Sequence, residues 1–200
     1  MAGAFRLMAP GPGGAPVLLV FDPSRQVGTW TWRADADGGG GDWIACRPAA
    51  SPPWRDAAGA AYDRASGRLL LFGGVVARGG GGVPVNDAWS WDGASWRELH
   101  AAHRPAGGPA VMAEAGGAPL LFEQDGTWAW RGGDWTRLQP AGRPAWRPYV
   151  PLAGVPAMDS GGPLALLVTG PVDRRTQTGS ETWGWDGSSW RARDRRPPPP

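Results

Sequence analysis

One aromatic pattern occurs four times along this chain and constrains its fold more than any other feature. A pair of tryptophans separated by one residue is followed each time by a third tryptophan. The four sets are Trp30/Trp32/Trp43, Trp89/Trp91/Trp96, Trp128/Trp130/Trp135 and Trp183/Trp185/Trp190. Twelve of the 14 tryptophans therefore belong to one repeated unit. Such a repeat is typical of a chain built from similar supersecondary units that pack side by side.

The spacing within each unit predicts β-strands. Two tryptophans at positions i and i+2 of a strand place both rings on the same face. In the last three units four residues (DGAS, RGGD and DGSS) separate the second tryptophan from the third, which is typical of hairpin turns. In the first unit this segment has ten residues. Two apolar runs joined by turn residues precede each pair, for example 57–62 and 69–72 in the second unit. Each unit therefore predicts four strands.

Four units of four strands predict an all-β fold in which four-stranded antiparallel sheets are repeated around an axis, which is a β-propeller. The predicted blades cover about residues 5–47, 55–100, 108–139 and 148–193, within one domain of residues 1–194. The proline-rich segment 195–200 is predicted to be a disordered tail.

The second unit carries a resemblance to a known family. Its sequence AAYDRASGRLLLFGG, followed by WSWDGASW, resembles the kelch repeat, including the kelch-type blades of galactose oxidase. The resemblance covers about residues 5–193. The family's di-glycine stands at 73–74 and in part at 169–170, whereas Asp-Pro at 22–23 and Glu-Gln at 123–124 replace it.

The resemblance implies a ring of six or seven blades, and this chain supplies four units. Three interpretations stay open: a closed four-bladed ring, a fragment of a larger propeller, and a half-ring completed by another chain. An incomplete array exposes an apolar face at each end. We therefore expect self-association through the open blade edges if the ring is not closed.

Charge and cysteine content exclude several classes of protein. The 20 basic residues are all arginine and face 18 acidic residues, so the net charge of +2 gives no strong attraction for nucleic acid or an anionic membrane. Cys46 is the only cysteine, which excludes an intrachain disulfide. No stretch approaches 18 apolar residues, and the N-terminus lacks the pattern of a signal peptide. We therefore expect no nucleic-acid or membrane partner, and a cytoplasmic location by default.

The predicted topology places the loops between second and third strands at the same end of the sheets as the connections between units. Binding residues are often found on loops held by a rigid scaffold. Two long loops lie there, at 75–86 and 171–180. Tryptophan and arginine side chains at this end form the predicted ligand-binding set: Trp54, Arg55, Arg104, Trp146, Arg147, Arg174 and Arg175. These groups can stack on a sugar or bind a carboxylate. The alternative is structural, with rings that cover strand edges and arginines that bind loop carbonyl groups.

Residues suited to metal binding or catalysis are few. His100 and His103 are the only histidines, and the sequence fixes no third ligand beside them. The resemblance to galactose oxidase implies a copper site with two tyrosines, two histidines and a cysteine, and Tyr62, Tyr149, His100, His103 and Cys46 supply these types by number. Tyr62 ends a first strand at the opposite end of the sheets from the histidines, which argues against the site. Phosphate-binding loops and serine-nucleophile motifs are absent. We predict no cofactor, no metal and no catalytic residue.

The sequence predicts a kelch-like binding or scaffold domain that presents loops to a protein or to a small polar ligand. Two alternatives stay open. One is a propeller-type enzyme that acts on carbohydrate or a small metabolite, and the other is a structural fragment of a larger propeller protein.

Overall fold

The structure of the chain, a computed structural model, describes residues 5–22, 24, 26–146, 155–156, 165–169 and 181–193. The predicted loop at 171–180 and the predicted tail at 195–200 lie outside the described residues. The described part is all-β, with four four-stranded antiparallel sheets, one two-stranded sheet and a single 3₁₀ turn at Pro12–Gly14. In this part of the chain no helix has the length and apolar character needed to cross a membrane.

The four large sheets follow one another along the chain, and within each sheet the strands pair in chain order. The first sheet contains β1 (Phe5–Pro10), β2 (Pro16–Phe21), β3 (Val27–Ala34) and β4 (Gly41–Cys46). The second contains β5 (Gly59–Asp63), β6 (Arg68–Phe72), β9 (Ala88–Trp91) and β10 (Trp96–Leu99). The third contains β11 (Val111–Ala115), β12 (Ala118–Glu123), β13 (Gly126–Arg131) and β14 (Asp134–Arg137). The fourth contains β15 (Val155–Pro156), β16 (Ala165–Thr169), β17 (Glu181–Trp185) and β18 (Trp190–Ala192). The two-stranded sheet is a hairpin of β7 (Val75–Arg78) and β8 (Gly81–Pro84), inserted between β6 and β9.

The three tryptophans of a unit lie on one face of their sheet, as the spacing predicts. In the second sheet Trp91 stands directly opposite Trp96, and Leu69 and Leu71 stand opposite Trp91 and Trp89. The rings of the second and third tryptophans touch in every sheet, with centroid separations of 5.5, 5.4, 5.2 and 5.2 Å from the first sheet to the fourth. We call this side of a sheet its Trp face and the other side its far face.

Neighbouring sheets pack through three hydrophobic clusters, and the strand β6 shows how. Leu69 and Leu71 lie in the cluster shared with the first sheet, whereas Leu70 and Phe72 lie in the cluster shared with the third. All four side chains are at most 2% exposed. Since successive side chains of a strand point to opposite faces, a sheet with a neighbour on each side needs an unbroken apolar run. This is why RLLLF at β6 does not alternate with polar residues.

The packing has a direction. The Trp face of each later sheet packs against the far face of the sheet that precedes it, so that Trp135 meets Phe72 and Trp190 meets Phe122, with ring centroids 5.0 and 5.8 Å apart. The described residues do not show a closed ring. The Trp face of the first sheet consequently stays open, and Met8 on this face is 67% exposed.

The first strands of the sheets form the inner contacts between neighbours: β1 packs beside β5, β5 beside β11, and β11 beside β15. At Gly59 the approach is close, since a Cβ atom there would lie 2.7 Å from Cγ of Met112. A larger residue at this position would push the second and third sheets apart.

Candidate functional site at the loop end of the sheets

The antiparallel strand order gives each sheet two different ends. At one end, the loop end, lie the connection from the second strand to the third and the crossing to the next sheet. At the other, the turn end, lie the connections from the first strand to the second and from the third strand to the fourth. The loop end of the second sheet is described in full and that of the third sheet as far as residue 146. Together they contain four of the ionisable side chains considered below.

Arg55 is fully buried at the loop end of the second sheet. Its Nη1 and Nη2 atoms each donate to one oxygen of the Asp87 carboxylate at 2.7 Å. Nη1 also donates to the carbonyl of Gly73 at 2.9 Å, and Nε donates to that of Pro53 at 3.1 Å. A forked guanidinium is well suited to such a set of acceptors. The pair thus joins the segment before β5 to the start of β9.

Asp87 is held in its charged form by this arrangement. Burial by itself would raise the pKa of the Asp87 carboxyl, but hydrogen bonds from Arg55 and from Trp89 outweigh it and keep the pKa below its ordinary value. The Trp89 indole donates to Asp87 Oδ2 at 2.6 Å. A carboxylate two residues before the first tryptophan of the unit therefore fixes both that ring and the buried arginine.

Backbone hydrogen bonds tie the loop end of the second sheet to the segment that crosses to the third. The amide of Gly74 donates to the carbonyl of Gly108 at 2.7 Å, and the amide of Gly108 donates to the carbonyl of Val85 at 3.0 Å. Gly107 has φ of +84°, and a Cβ there would lie 2.3 Å from the Val85 carbonyl oxygen. Only glycine fits this position, because both its backbone conformation and the space forbid a side chain.

Glu123 is a buried carboxyl at the loop end of the third sheet and is only 1% exposed. The amide of Gly107 donates to its Oε2 at 3.2 Å, and Oε1 has no hydrogen-bond partner among the described residues. Burial, together with the neighbouring Asp125, raises the pKa of Glu123 to about 8. Asp125 in turn accepts a hydrogen bond of 2.8 Å from the Trp128 indole. At neutral pH Glu123 therefore keeps its proton.

The two loop ends are related by an exchange of residue types. Val111 pairs with Phe122 as Gly59 pairs with Phe72, so Gly107 holds the position of Arg55 and Glu123 holds that of Gly73. In the second sheet the connecting segment supplies a long side chain and the strand end supplies a glycine. In the third sheet these roles are reversed. In both sheets a buried ionisable side chain lies beside the acidic residue that precedes the third strand. Arg55 lies beside Asp87, and Glu123 lies beside Asp125.

The described residues of the predicted ligand-binding set lie against different sheets. Trp54 packs against the core between the first and second sheets, and its indole nitrogen is buried with no partner among the described residues. Trp146 packs edge-on against Phe122, with ring centroids 5.6 Å apart. Arg104 is exposed, and its Nε donates to the carbonyl of Ala101 at 3.3 Å.

Among the described arginines of this set, Arg55 makes four hydrogen bonds and Arg104 makes one. Two of the Arg55 bonds reach loop carbonyl groups, as the structural alternative predicts for the arginines. Arg147, Arg174 and Arg175 lie outside the described residues. Ligand binding by the set stays a prediction. Sequence reasoning missed Glu123 and Asp125 as a pair, although the loss of the di-glycine at 123–124 was a signal that this loop end differs.

The hairpin β7–β8 extends from the loop end of the second sheet. Its base is fixed by two backbone hydrogen bonds between Asp56 and Val75, of 2.9 and 2.8 Å. All four residues of β8 are exposed, and the apolar Val83 among them is 40% exposed. The long loop at 75–86 is thus an ordered, projecting element with a tethered base.

A cleft of about 270 Å³ opens at the turn end, between the second and third sheets. Its walls include Arg68, Ser90, Arg97 and Trp130. The Ser90 hydroxyl is buried and has no hydrogen-bond partner in the described part of the chain. A smaller cleft of about 180 Å³ lies at the equivalent place between the third and fourth sheets, where Ala129 lines the wall. Both clefts lie away from the loop end on which the sequence-based prediction was placed.

His103 binds the side chain of Asp134 in the third sheet. His103 lies 2.7 Å through Nδ1 from Asp134 Oδ2, and its amide donates to the same carboxylate at 2.9 Å. These bonds lower the pKa of Asp134 and tie the crossing segment to the start of β14. Within the described ranges, no three His, Cys, Asp or Glu side chains are placed to hold a metal ion.

Comparison with known proteins gives a fold and nothing finer. No family model matches the sequence, and no curated protein matches it. Among solved structures, the chain is similar to the structure of YjhT, with a TM-score of 0.65 and 16% sequence identity over 97% of this chain. The matched region spans 65% of the YjhT chain, so about a third of that chain has no counterpart here. At this level of identity the likeness concerns the fold alone.

Proposed function

We propose that this chain is a segment of a kelch-like β-propeller that acts as a binding module and presents the hairpin β7–β8 to a protein partner. The propeller arrangement is supported by the order of strands within each sheet, by the successive packing of the sheets through their first strands, and by the structural likeness to YjhT.

The hairpin is the observation that carries the proposed function. An insertion that only has to be tolerated does not need a fixed base, yet this one is joined to Asp56 at Val75 and lies against the crossing segment through Gly74 and Gly108. Its outer strand exposes backbone groups and the side chain of Val83. Exposed strands of this kind offer both main-chain hydrogen bonds and apolar contact to another protein.

A site-specific photocrosslinker tests the proposal. We expect a photoreactive phenylalanine analogue at Val83 to capture a protein from cells that produce this chain, and the same analogue at exposed Ala94 at the turn end to capture none. A probe at Val75, at the base of the hairpin, should also capture the partner, and removing residues 76–83 should abolish this capture while leaving the circular dichroism spectrum of the sheets unchanged. Equal capture at Val83 and Ala94 would contradict the proposal.

A second candidate function rests on the turn-end cleft. The buried, unpaired Ser90 hydroxyl and the guanidinium of Arg97 would suit a small ligand that carries a carboxylate or several hydroxyl groups. Thermal-shift screening of small organic acids and sugars tests it. A ligand that raises the melting temperature of the wild type, but not that of Ser90→Ala or Arg97→Gln, would support this candidate over the protein-binding one.

A further inference from the structure

One hydrogen bond recurs between neighbouring sheets. The third tryptophan of the second sheet, Trp96, donates from Nε1 to Oγ1 of Thr29 in the first sheet at 2.9 Å. The third tryptophan of the fourth sheet, Trp190, makes the same bond to Thr127 in the third sheet, also at 2.9 Å. Both threonines are almost fully buried, at 1% and 2% exposure. Each of them directly precedes the first tryptophan of its own unit.

The interface between the second and third sheets lacks this hydrogen bond. In the second sheet the residue before the first tryptophan is Ala88, which has no hydroxyl group. The third tryptophan of the third sheet, Trp135, packs over this far face, and its buried indole nitrogen has no partner among the described residues. A threonine before the first tryptophan therefore supplies a hydrogen-bond acceptor to the Trp face of the next sheet at two of the three internal interfaces, whereas the interface with Ala88 packs without this bond.

The first and fourth sheets each carry one half of this interaction on a face that no described residue of another sheet covers. The first sheet presents a Trp face with Trp30, Trp32 and Trp43, all of which remain partly exposed. On the fourth sheet Thr182 precedes the first tryptophan, and its pairing with Val168 places it on the far face, away from the third sheet. Leu166 lies on the same face, and both side chains are partly exposed.

We propose that the Trp face of the first sheet is an interaction surface for the far face of the fourth sheet of a second copy of this chain. Trp43 would donate to Thr182 of that copy, as Trp96 donates to Thr29 within the chain. The contact would continue an interface that the chain already makes three times between its own sheets. It uses whole sheet faces rather than strand edges, and it is independent of the role proposed for the hairpin.

The two faces of one chain are different, so the contact is heterologous. A heterologous contact either closes into a ring or continues from copy to copy. Two copies satisfy both open faces if their four-sheet arcs close on each other. The mass in solution should therefore be at least twice that of the chain, and a monomer at every concentration in light scattering and native mass spectrometry would overturn the proposal.

Two blocked variants distinguish this contact from other modes of self-association. Met8→Asp places a charge on the exposed Trp face, and Thr182→Arg places one on the far face of the fourth sheet. Each variant alone should be monomeric. An equal mixture should form heterodimers, because each mixed pair keeps one intact Trp face and one intact far face. If Thr182→Arg alone associates as the wild type does, the Trp faces pair with each other and the proposal is wrong.

A conservative pair of variants tests the hydrogen bond itself. Thr182→Val keeps the shape of the side chain and removes the acceptor, so association should weaken about tenfold. Thr182→Ser restores the hydroxyl and should recover most of the affinity. Thermal unfolding of each variant checks the fold, and Leu166→Asp replaces Thr182→Arg in the mixing experiment if the latter fails to fold. Equal dissociation constants for Thr182→Val and the wild type would contradict the role of Thr182.

Discussion

The loop ends of the second and third sheets fill the same space with opposite chemistry. In the second sheet Arg55 is paired with Asp87, so the buried charges compensate each other. In the third sheet Glu123 stands beside Asp125, neither carboxyl forms an ion pair with a described residue, and Glu123 stays neutral by keeping its proton. The comparison teaches that two neighbouring positions of the repeat can exchange a glycine and a long ionisable side chain, and that the charge of this side chain can change when they do.

Among the substitutions that compare the two loop ends, we expect the one at Arg55 to lower the stability of the fold most clearly. Arg55→Ala leaves the Asp87 carboxylate without its partner in a mostly buried position, which should lower the free energy of unfolding by about 3 kcal/mol. Urea unfolding at pH 7 measures it. The matched control is Arg64→Ala, which removes an exposed ion pair with Glu114 and should change stability little. Equal losses for the two variants would remove the distinction.

The third sheet should respond to pH. Glu123 has an ordinary pKa of 4.5 and a pKa of about 8 in the folded chain. The folded state holds a proton that the unfolded state releases between these values, so stability falls as the pH rises from about 4.5 to about 8 and is lowest above it. Glu123→Gln should remove this decline, which is worth about 5 kcal/mol. Urea unfolding between pH 5 and 9 measures it.

Glu98→Gln provides the control for that experiment, because Glu98 is exposed on β10. Its stability profile should follow that of the wild type. Parallel profiles for wild type and Glu123→Gln would mean that Glu123 releases its proton in the folded chain at its ordinary pKa.

The smallest effect is expected at Asp125. Asp125→Asn removes the negative charge beside Glu123 but keeps an oxygen that can accept from the Trp128 indole. The pKa of Glu123 should then fall by about 1 unit, because burial remains the main cause of its shift. The pH midpoint of the stability profile reports the change. A midpoint that does not move would show that burial alone sets this pKa.

Much of the fold could be predicted from local sequence. The i, i+2 tryptophans, the apolar runs and the turn residues each report on a few neighbouring positions, and together they define the sheets because the unit is repeated. The order of packing follows from the same pattern. The prediction could not say whether the sheets close into a ring, since closure depends on small rotations between sheets that no single residue encodes.

The site was harder to predict because its partners are distant in sequence. Arg55 and Asp87 are 32 residues apart, and neither residue type is unusual in its segment. The sequence shows that Glu-Gln replaces the di-glycine at 123–124. It does not show that Glu123 is buried against Gly107, because Gly107 lies in a different connecting segment, at the position equivalent to Arg55. The sequence predicts a long loop at 75–86, whereas the structure has a short hairpin there. Its second strand, GGVP, consists mostly of glycine and proline, which do not favour β-structure, so the local sequence does not indicate a strand.

The fixed direction of packing has a consequence for how the chain is made. Every Trp face from the second sheet onward rests on a sheet that lies earlier in the sequence. During synthesis from the N-terminus, each new set of tryptophans therefore emerges when the surface that it needs is already complete. The exposure of apolar rings is thereby kept brief for every sheet except the first, whose rings have no earlier partner within the described chain.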